Sequence, residues 1–229
     1  MNKRLGFGTG PLVLEADGIR LAFDSRPVLA DVYLRVQSGQ VVGLLGRNGS
    51  GKSVLLQTIF GARAVPDASV RVNSRHVAPA FRVPGLVNYL PQTSLLPPYL
   101  SIRQAARLLR VDPEKVIASF PDLRQQLHCR PGELSGGSAR LLQVLLLLHA
   151  DTAFSLFDEP FSGVMPVHIE TLADEMRQLK LRKGLLLTDH RYAEVLPLCD
   201  VVYLLRQGRL LKLEGDFETA LRDYGYLAS

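Results

Sequence analysis

The sequence predicts an α/β domain: a mainly parallel sheet, an antiparallel β portion at the N-terminus, and a helical portion inserted into the middle. Three observations carry that prediction. Short β-rich runs fill the first third, helical periodicity fills the middle, and strand and helix alternate again through the last third. Such alternation belongs to a parallel-sheet domain, and the all-helical middle then reads as an insertion into it. The whole chain of 229 residues forms one domain, with about 1–91 and 150–229 as the core and about 92–149 as the helical part.

In order along the chain, residues 12–14, 19–23 and 32–36 read as strands, punctuated by Asp17-Gly18, Arg26-Pro27 and Ser38-Gly39. Residues 41–45 are a near-continuous apolar run, the pattern of a strand buried on both faces. A glycine-rich turn and a helix over 52–60 follow, then strands at 70–72 and 86–90. From 101 to 149 the spacing is helical: Ile102, Ala106 and Leu109 share one face, as do Val116 and Phe120. Pro113 suits a helix start, where a missing N–H costs little. Strand 154–157, helix 167–181, strand 185–188, helix 193–198 and strand 201–205 complete the reading. No long linker, repeat or low-complexity tract interrupts it.

Composition narrows the class. Hydrophobic residues at 47% and charged residues at 21% are those of a globular chain able to bury a sizeable core. The net charge of +5 and pI near 9.4 suit anionic nucleotides, but a surplus of this size is ordinary for a solvated surface and does not point to nucleic acid. Cys129 and Cys199 make neither a disulfide framework nor a metal site, and fit a reduced cytosolic compartment as small core residues. No apolar run follows Lys3 and Arg4, so the start does not read as a secretory signal. The greasiest stretch, 141–148, falls far short of the roughly 20 apolar residues that span a bilayer. No direct membrane insertion is expected, and any passage must come from a partner.

Three segments carry chemistry. Gly46-Arg47-Asn48-Gly49-Ser50-Gly51-Lys52-Ser53 is a full P-loop pattern between a buried strand and a helix. Its glycines let backbone N–H groups turn toward phosphate oxygens at a helix N-terminus. Lys52 can then reach the β- and γ-phosphates, and the Ser53 hydroxyl can ligate Mg²⁺. The run from Phe154 ends in Asp158 and Glu159. Alone that is a strand entering a solvated turn; downstream of a P-loop, Asp158 suits Mg²⁺, and Glu159 suits a base for the attacking water. Leu134-Ser135-Gly136-Gly137 opens a helix. In isolation it is a cap, although hydroxyl, free N–H groups and dipole together also suit phosphate.

The three segments together, in this order and approximate spacing, resemble the ATP-binding-cassette ATPases over nearly the whole chain, from Leu12 to about Tyr226. The Leu-Ser-Gly-Gly segment is the discriminating motif. The resemblance implies a P-loop NTPase (RecA-like) core, ATP and Mg²⁺ as ligands, and further site residues. Gln92 is similar to the family glutamine at the join of the two lobes, which senses Mg²⁺ and γ-phosphate. His190 is similar to the switch histidine on the γ-phosphate, and Phe23 falls where an aromatic ring stacks on adenine. It also implies two cassettes facing head to tail, with Ser135, Gly136 and Gly137 of one closing on the ATP of the other. The partners implied are a second copy or a similar cassette, and integral membrane permease subunits, with the chain peripheral at the cytoplasmic face of the membrane. Residues 158–164, Thr188-Asp189-His190 and Leu198-Cys199-Asp200 resemble the branch holding the lipopolysaccharide-export and branched-chain amino-acid import ATPases; Tyr89-Leu90-Pro91-Gln92 also fits the former.

The sequence also departs from that pattern. Met165 stands where the family has an aspartate that couples the two sites across the dimer, and methionine cannot accept the same hydrogen bonds. Ser138 and Ala139 replace a glutamine or glutamate and a basic residue, and the helix over 141–148 is leucine-rich and lacks the customary arginine. The helical part reads as short. The competing function is a soluble cassette acting on ribosomes, DNA or protein assemblies. Those resembling it carry two nucleotide sites or long coiled-coil insertions, and this chain has neither. A regulatory cassette with weak turnover is opposed by Lys52, Asp158, Glu159 and His190 and left open by Met165.

Overall fold

The computed structural model describes residues 6–7, 10–23, 26–66 and 68–227, with the side chains of Phe23 and Arg26 outside that description. Two sheets form the frame. The first is antiparallel, in the order β2 (Arg26–Gln37), β1 (Val13–Phe23), β4 (Ser69–Val72) and β5 (Arg75–His76). The second runs β10 (Arg209–Lys212), β9 (Val201–Arg206), β3 (Val41–Leu45), β8 (Gly184–Thr188), β7 (Phe154–Asp158) and β6 (Val87–Leu90). Only β10 in that sheet is antiparallel to its neighbour.

Seven helices are found among the described residues, the first and fourth lying against the second sheet and the second and third packing on the fourth. They are α1 (Lys52–Phe60), α2 (Ile102–Leu108), α3 (Pro113–Val116), α4 (Gly136–His149), α5 (Pro166–Leu179), α6 (Tyr192–Val195) and α7 (Phe217–Asp223). The parallel strands are buried on both faces, and their side chains divide between two cores by the period of two. Val41, Leu45, Phe157, Leu185 and Leu187 join the core under α4 and α5. Val42, Leu44, Leu156 and Leu186 join the core shared with α1 and the antiparallel sheet.

The element reading from sequence is refined in several places. Asp17-Gly18 is an irregularity inside one strand, β1, whose register shifts between Ala16 and Ile19, rather than a turn between two. Pro27 lies near the start of the edge strand β2, where its missing donor does no harm. The middle is broken into short pieces: α2 with a Ser101 capping box, the one-turn α3, and 3-10 turns at Pro121–His128 and Pro131–Glu133. Pro113 does open α3, while Phe120 lies beyond its end, buried without being helical. The expected helix over 193–198 is α6 plus a 3-10 turn at Leu196–Leu198. Elements β10 and α7 were not anticipated. Cys199 packs on the core as expected, its thiol pushed up to about 12 by burial and then Asp200. Among the described residues no helix is long and apolar enough to cross a membrane.

Candidate functional site

Parallel strands deliver their carboxyl ends to one edge, and ligands of such sheets collect there. β3 leads into the P-loop, β6 ends before Gln92, β7 ends at Asp158, and β8 ends at Thr188. Because β8 lies between β3 and β7, the P-loop, the Asp-Glu pair and the Thr-Asp-His run become neighbours. Asp158 and Thr188 are register partners.

The P-loop is shaped by backbone. Gly51 caps α1 with φ +107 and lies so close to Val28 that an added Cβ would come within 2.8 Å of its side chain. The first turn of α1 holds no acidic residue, so the positive end of its dipole is left for an external anion. Lys52 is buried and folds back on the loop, donating from Nζ to the Gly46 and Arg47 carbonyls at 2.7 and 3.2 Å. Burial lowers its pKa, against the pull of Glu159, Asp158 and Asp189. Among the described residues the buried Ser50 hydroxyl has no hydrogen-bond partner. A cleft of about 600 Å³ opens over this loop, lined by Val28, residues 48–54, Gln92 and Glu159. A larger concavity, about 800 Å³, lies between β1, β2 and β10; its Arg20 and Asp31 already pair with each other.

Asp158 is almost fully buried. Its carboxylate accepts from the Thr188 hydroxyl at 2.7 Å and the Tyr89 hydroxyl at 3.3 Å, and each oxygen keeps a further lone pair for a cation. Burial, then Asp158, push the Tyr89 phenol up to about 12, so it stays a donor. Glu159 adopts φ +58, unusual for a residue with a Cβ. Its N–H is anchored on Thr188, to the carbonyl at 2.8 Å and the hydroxyl at 3.2 Å. Its carboxylate accepts from Gln92 Nε2 at 3.0 Å and lies 3.8 Å from His190 Nδ1. His190 stays half exposed. Ser135, Gly136 and Gly137 stand apart from this group. Ser135 caps α4 by accepting from the Ser138 N–H at 3.1 Å, and a Cβ on Gly137 would lie 2.0 Å from the Gly163 carbonyl oxygen.

The structure therefore brings Asn48, Gly49, Ser50, Gly51, Lys52, Ser53, Gln92 and Glu159 onto one cleft, with Gly46 and Asp158 beneath it and His190 beside it. It leaves Ser135–Gly137 at a separate edge, Ser135 and Gly136 exposed and Gly137 half-buried, and the stacking expectation for Phe23 lies outside the described side chains. Sequence reasoning missed three partners. Tyr89 and Thr188 hold Asp158, and the parallel register was the signal that could have found Thr188. Asp189, fully buried, accepts from the Phe161 and Arg191 N–H groups, both at 3.0 Å, tying the loop after β7 to the loop after β8.

Comparison with known proteins identifies the family. The family described as ABC transporter matches residues 29–162, more than half of the chain. An uncharacterised ABC transporter ATP-binding protein of Rhizobium meliloti is 35% identical, over 86% of this chain and 78% of its own length. The lipopolysaccharide export system ATP-binding protein LptB of Escherichia coli K12 is 30% identical, over 86% and 88%. A solved ATP-binding subunit of an ABC transporter superposes with a TM-score of 0.77 at 26% identity, over 93% of this chain and 94% of the other. The chain belongs to the ABC transporter family: it is an ATP-binding subunit that hydrolyses ATP to power transport.

Proposed function

We propose that the chain is one half of a two-cassette motor, peripheral at the cytoplasmic face of a membrane, driving permease subunits encoded as separate chains. The observation that carries the catalytic reading is the Glu159 carboxylate, which faces the cleft over Lys52 with Gln92 at 3.0 Å and His190 at 3.8 Å. In this reading Lys52 leaves the Gly46 and Arg47 carbonyls for the β- and γ-phosphates, and the amides of residues 48–53 with the Gly46 turn surround them. Phe23 stacks on the adenine. Glu159 takes a proton from water as its oxygen bonds to the γ-phosphorus and the bond to the β-phosphate oxygen breaks, while His190 contacts the γ-phosphate.

The residues also fit Mg²⁺. Ser53, Asp158 and Gln92 offer oxygen donors, and an ion shared with phosphates needs only one or two protein ligands. When bound, Mg²⁺ supplies charge that neutralises the phosphate oxygens. Ser135 and Gly136, exposed at the start of α4, and the half-buried Gly137 close on the ATP held by a second copy or a similar cassette, and the helical part, 92–149, meets the permease.

Substituting Glu159→Gln keeps the size and removes the base, so ATP holds the two cassettes together without turnover. Sedimentation of that variant in saturating Mg-ATP is expected to give a dimer; a monomer with hydrolysis intact overturns the reading. Met165, 47% exposed at the start of α5, cannot couple the two sites as a carboxylate would. Met165→Asp should raise the cooperativity of ATP hydrolysis, and an unchanged rate and cooperativity would count against that role.

A further inference from the structure

One buried cation outside the residues discussed above joins the helix that follows Ser135 to two catalytic segments at once, the one before Gln92 and the Asp158-Glu159 pair. Arg140 lies in the second turn of α4, five residues after Ser135, and is buried at 8% exposure. Its guanidinium donates to the Pro91 carbonyl at 2.5 Å, to the Asp158 carbonyl, and to the Glu159 carbonyl at 3.2 Å from both Nε and Nη2. Pro91 precedes Gln92, and Gln92 donates to the Glu159 carboxylate. The planar fork of an arginine fixes the mutual placement of its acceptors in a way a point cation does not.

The Glu159 peptide is thereby held from both sides, N–H on Thr188 and carbonyl on Arg140. Such clamping suits a residue kept at φ +58 against its intrinsic preference. The helix that carries the clamp is the one whose first residues are Gly136 and Gly137. We propose that Arg140 is a positioning residue for ATP hydrolysis, holding Gln92 and Glu159 in register with each other and with the start of α4. A shift of α4 on closure over nucleotide then reaches the base through one side chain. The inference rests on the roles given above to Gln92 and Glu159.

The test uses the full chain and Mg-ATP, with kcat expressed per nucleotide-binding site found by titration. Arg140→Lys, which keeps the charge and loses the fork, should lower kcat about 5- to 10-fold, and Arg140→Met about 30- to 100-fold, with KM for ATP within about threefold. A residue that only supports the fold would reduce the number of binding sites and leave kcat per site alone; that outcome overturns the proposal. Should Arg140→Met not fold, the lysine variant decides through a cycle with Gln92→Ala. If Arg140 acts through Gln92, Arg140→Lys costs less kcat in the Gln92→Ala background, and effects that simply multiply refute it. If Glu159→Gln and Gln92→Ala themselves leave kcat unchanged, the underlying reading has failed rather than this one.

Discussion

The P-loop and the helical part reach the same cleft by opposite routes. Residues 41–60 do so mainly by contiguity: one buried strand, one turn and one helix place Gly46 through Ser53 at the carboxyl edge of the sheet, with two distant side chains at its backbone, Asp200 accepting from the Val41 N–H at 2.7 Å and the Tyr226 hydroxyl donating to the Gly46 carbonyl at 3.4 Å. The helical part reaches the cleft only through long-range contacts. Arg140 touches carbonyls 18, 19 and 49 residues away, and Gly137 presses on Gly163. Local chemistry survives a change elsewhere, whereas relayed chemistry depends on how two bodies pack. Variants in the first region should therefore damage nucleotide chemistry without the fold, and variants in the second should damage both.

The largest expected effect belongs to the first region. Lys52→Met removes the cation that meets the phosphates, and the loss should be about 10²–10³ in kcat, the scale for one transition-state charge partner. Lys52 itself lines the cleft, so its loss opens a way for water to the Gly46 and Arg47 carbonyls it now bonds. Thermal unfolding should therefore stay within a few degrees of the parent. A large drop in Tm would mean that the loop is braced by Lys52, and the contrast with the helical part would weaken.

Next comes Gly137→Ala. The added Cβ would meet the Gly163 oxygen at 2.0 Å and its carbon at 3.0 Å, both backbone atoms, so α4 or the loop after β7 must move. Overpacking of this kind costs about 1–3 kcal/mol. Turnover should fall with it, while nucleotide affinity at the P-loop stays near the parent value. Turnover and Tm both unchanged would show that α4 floats free of that loop.

How much of this was legible follows the same division. The apolar run of β3 and the helix α1 were readable to the residue, because period and glycine chemistry are local. Asp158 and Glu159 were readable as an apolar strand ending in carboxylates. Tyr89, Asp189 and Arg140 were not, since nothing in spacing says which strand lies between which; the order β3-β8-β7-β6 does. The helix from 141 on was read as lacking an arginine, yet Arg140 precedes it and turns inward. The strand β10, with Arg209 and Lys212 exposed around two half-buried leucines, carries too weak an alternation to stand out.

The smallest effect tests what holds the helical part to α5. His149, the last residue of α4, places Nε2 at 3.3 Å from Glu175 of α5, and Glu175 also accepts from the Ser119 hydroxyl. Burial lowers the pKa of His149; Glu175 opposes that, and Lys183 and Arg182 add to it. The folded state thus gives up this proton more readily than the unfolded chain. Between the lowered value and about 6.5 the unfolded chain binds more protons, so stability rises with pH through that window and is lost as pH falls through it. Below both values the loss is complete. Denaturant unfolding at pH 7.5, 6.5 and 5.5 should show stability falling toward acid, with a slope of at most about 1.4 kcal/mol per pH unit from this one group. His149→Gln cannot take up the proton and should flatten that slope. Equal slopes in parent and variant would mean that the neutral ring is not what α4 keeps against α5. The contact between Gly137 and Gly163 and the Arg140 bonds to the Asp158 and Glu159 carbonyls would then carry the contrast between relayed and local chemistry.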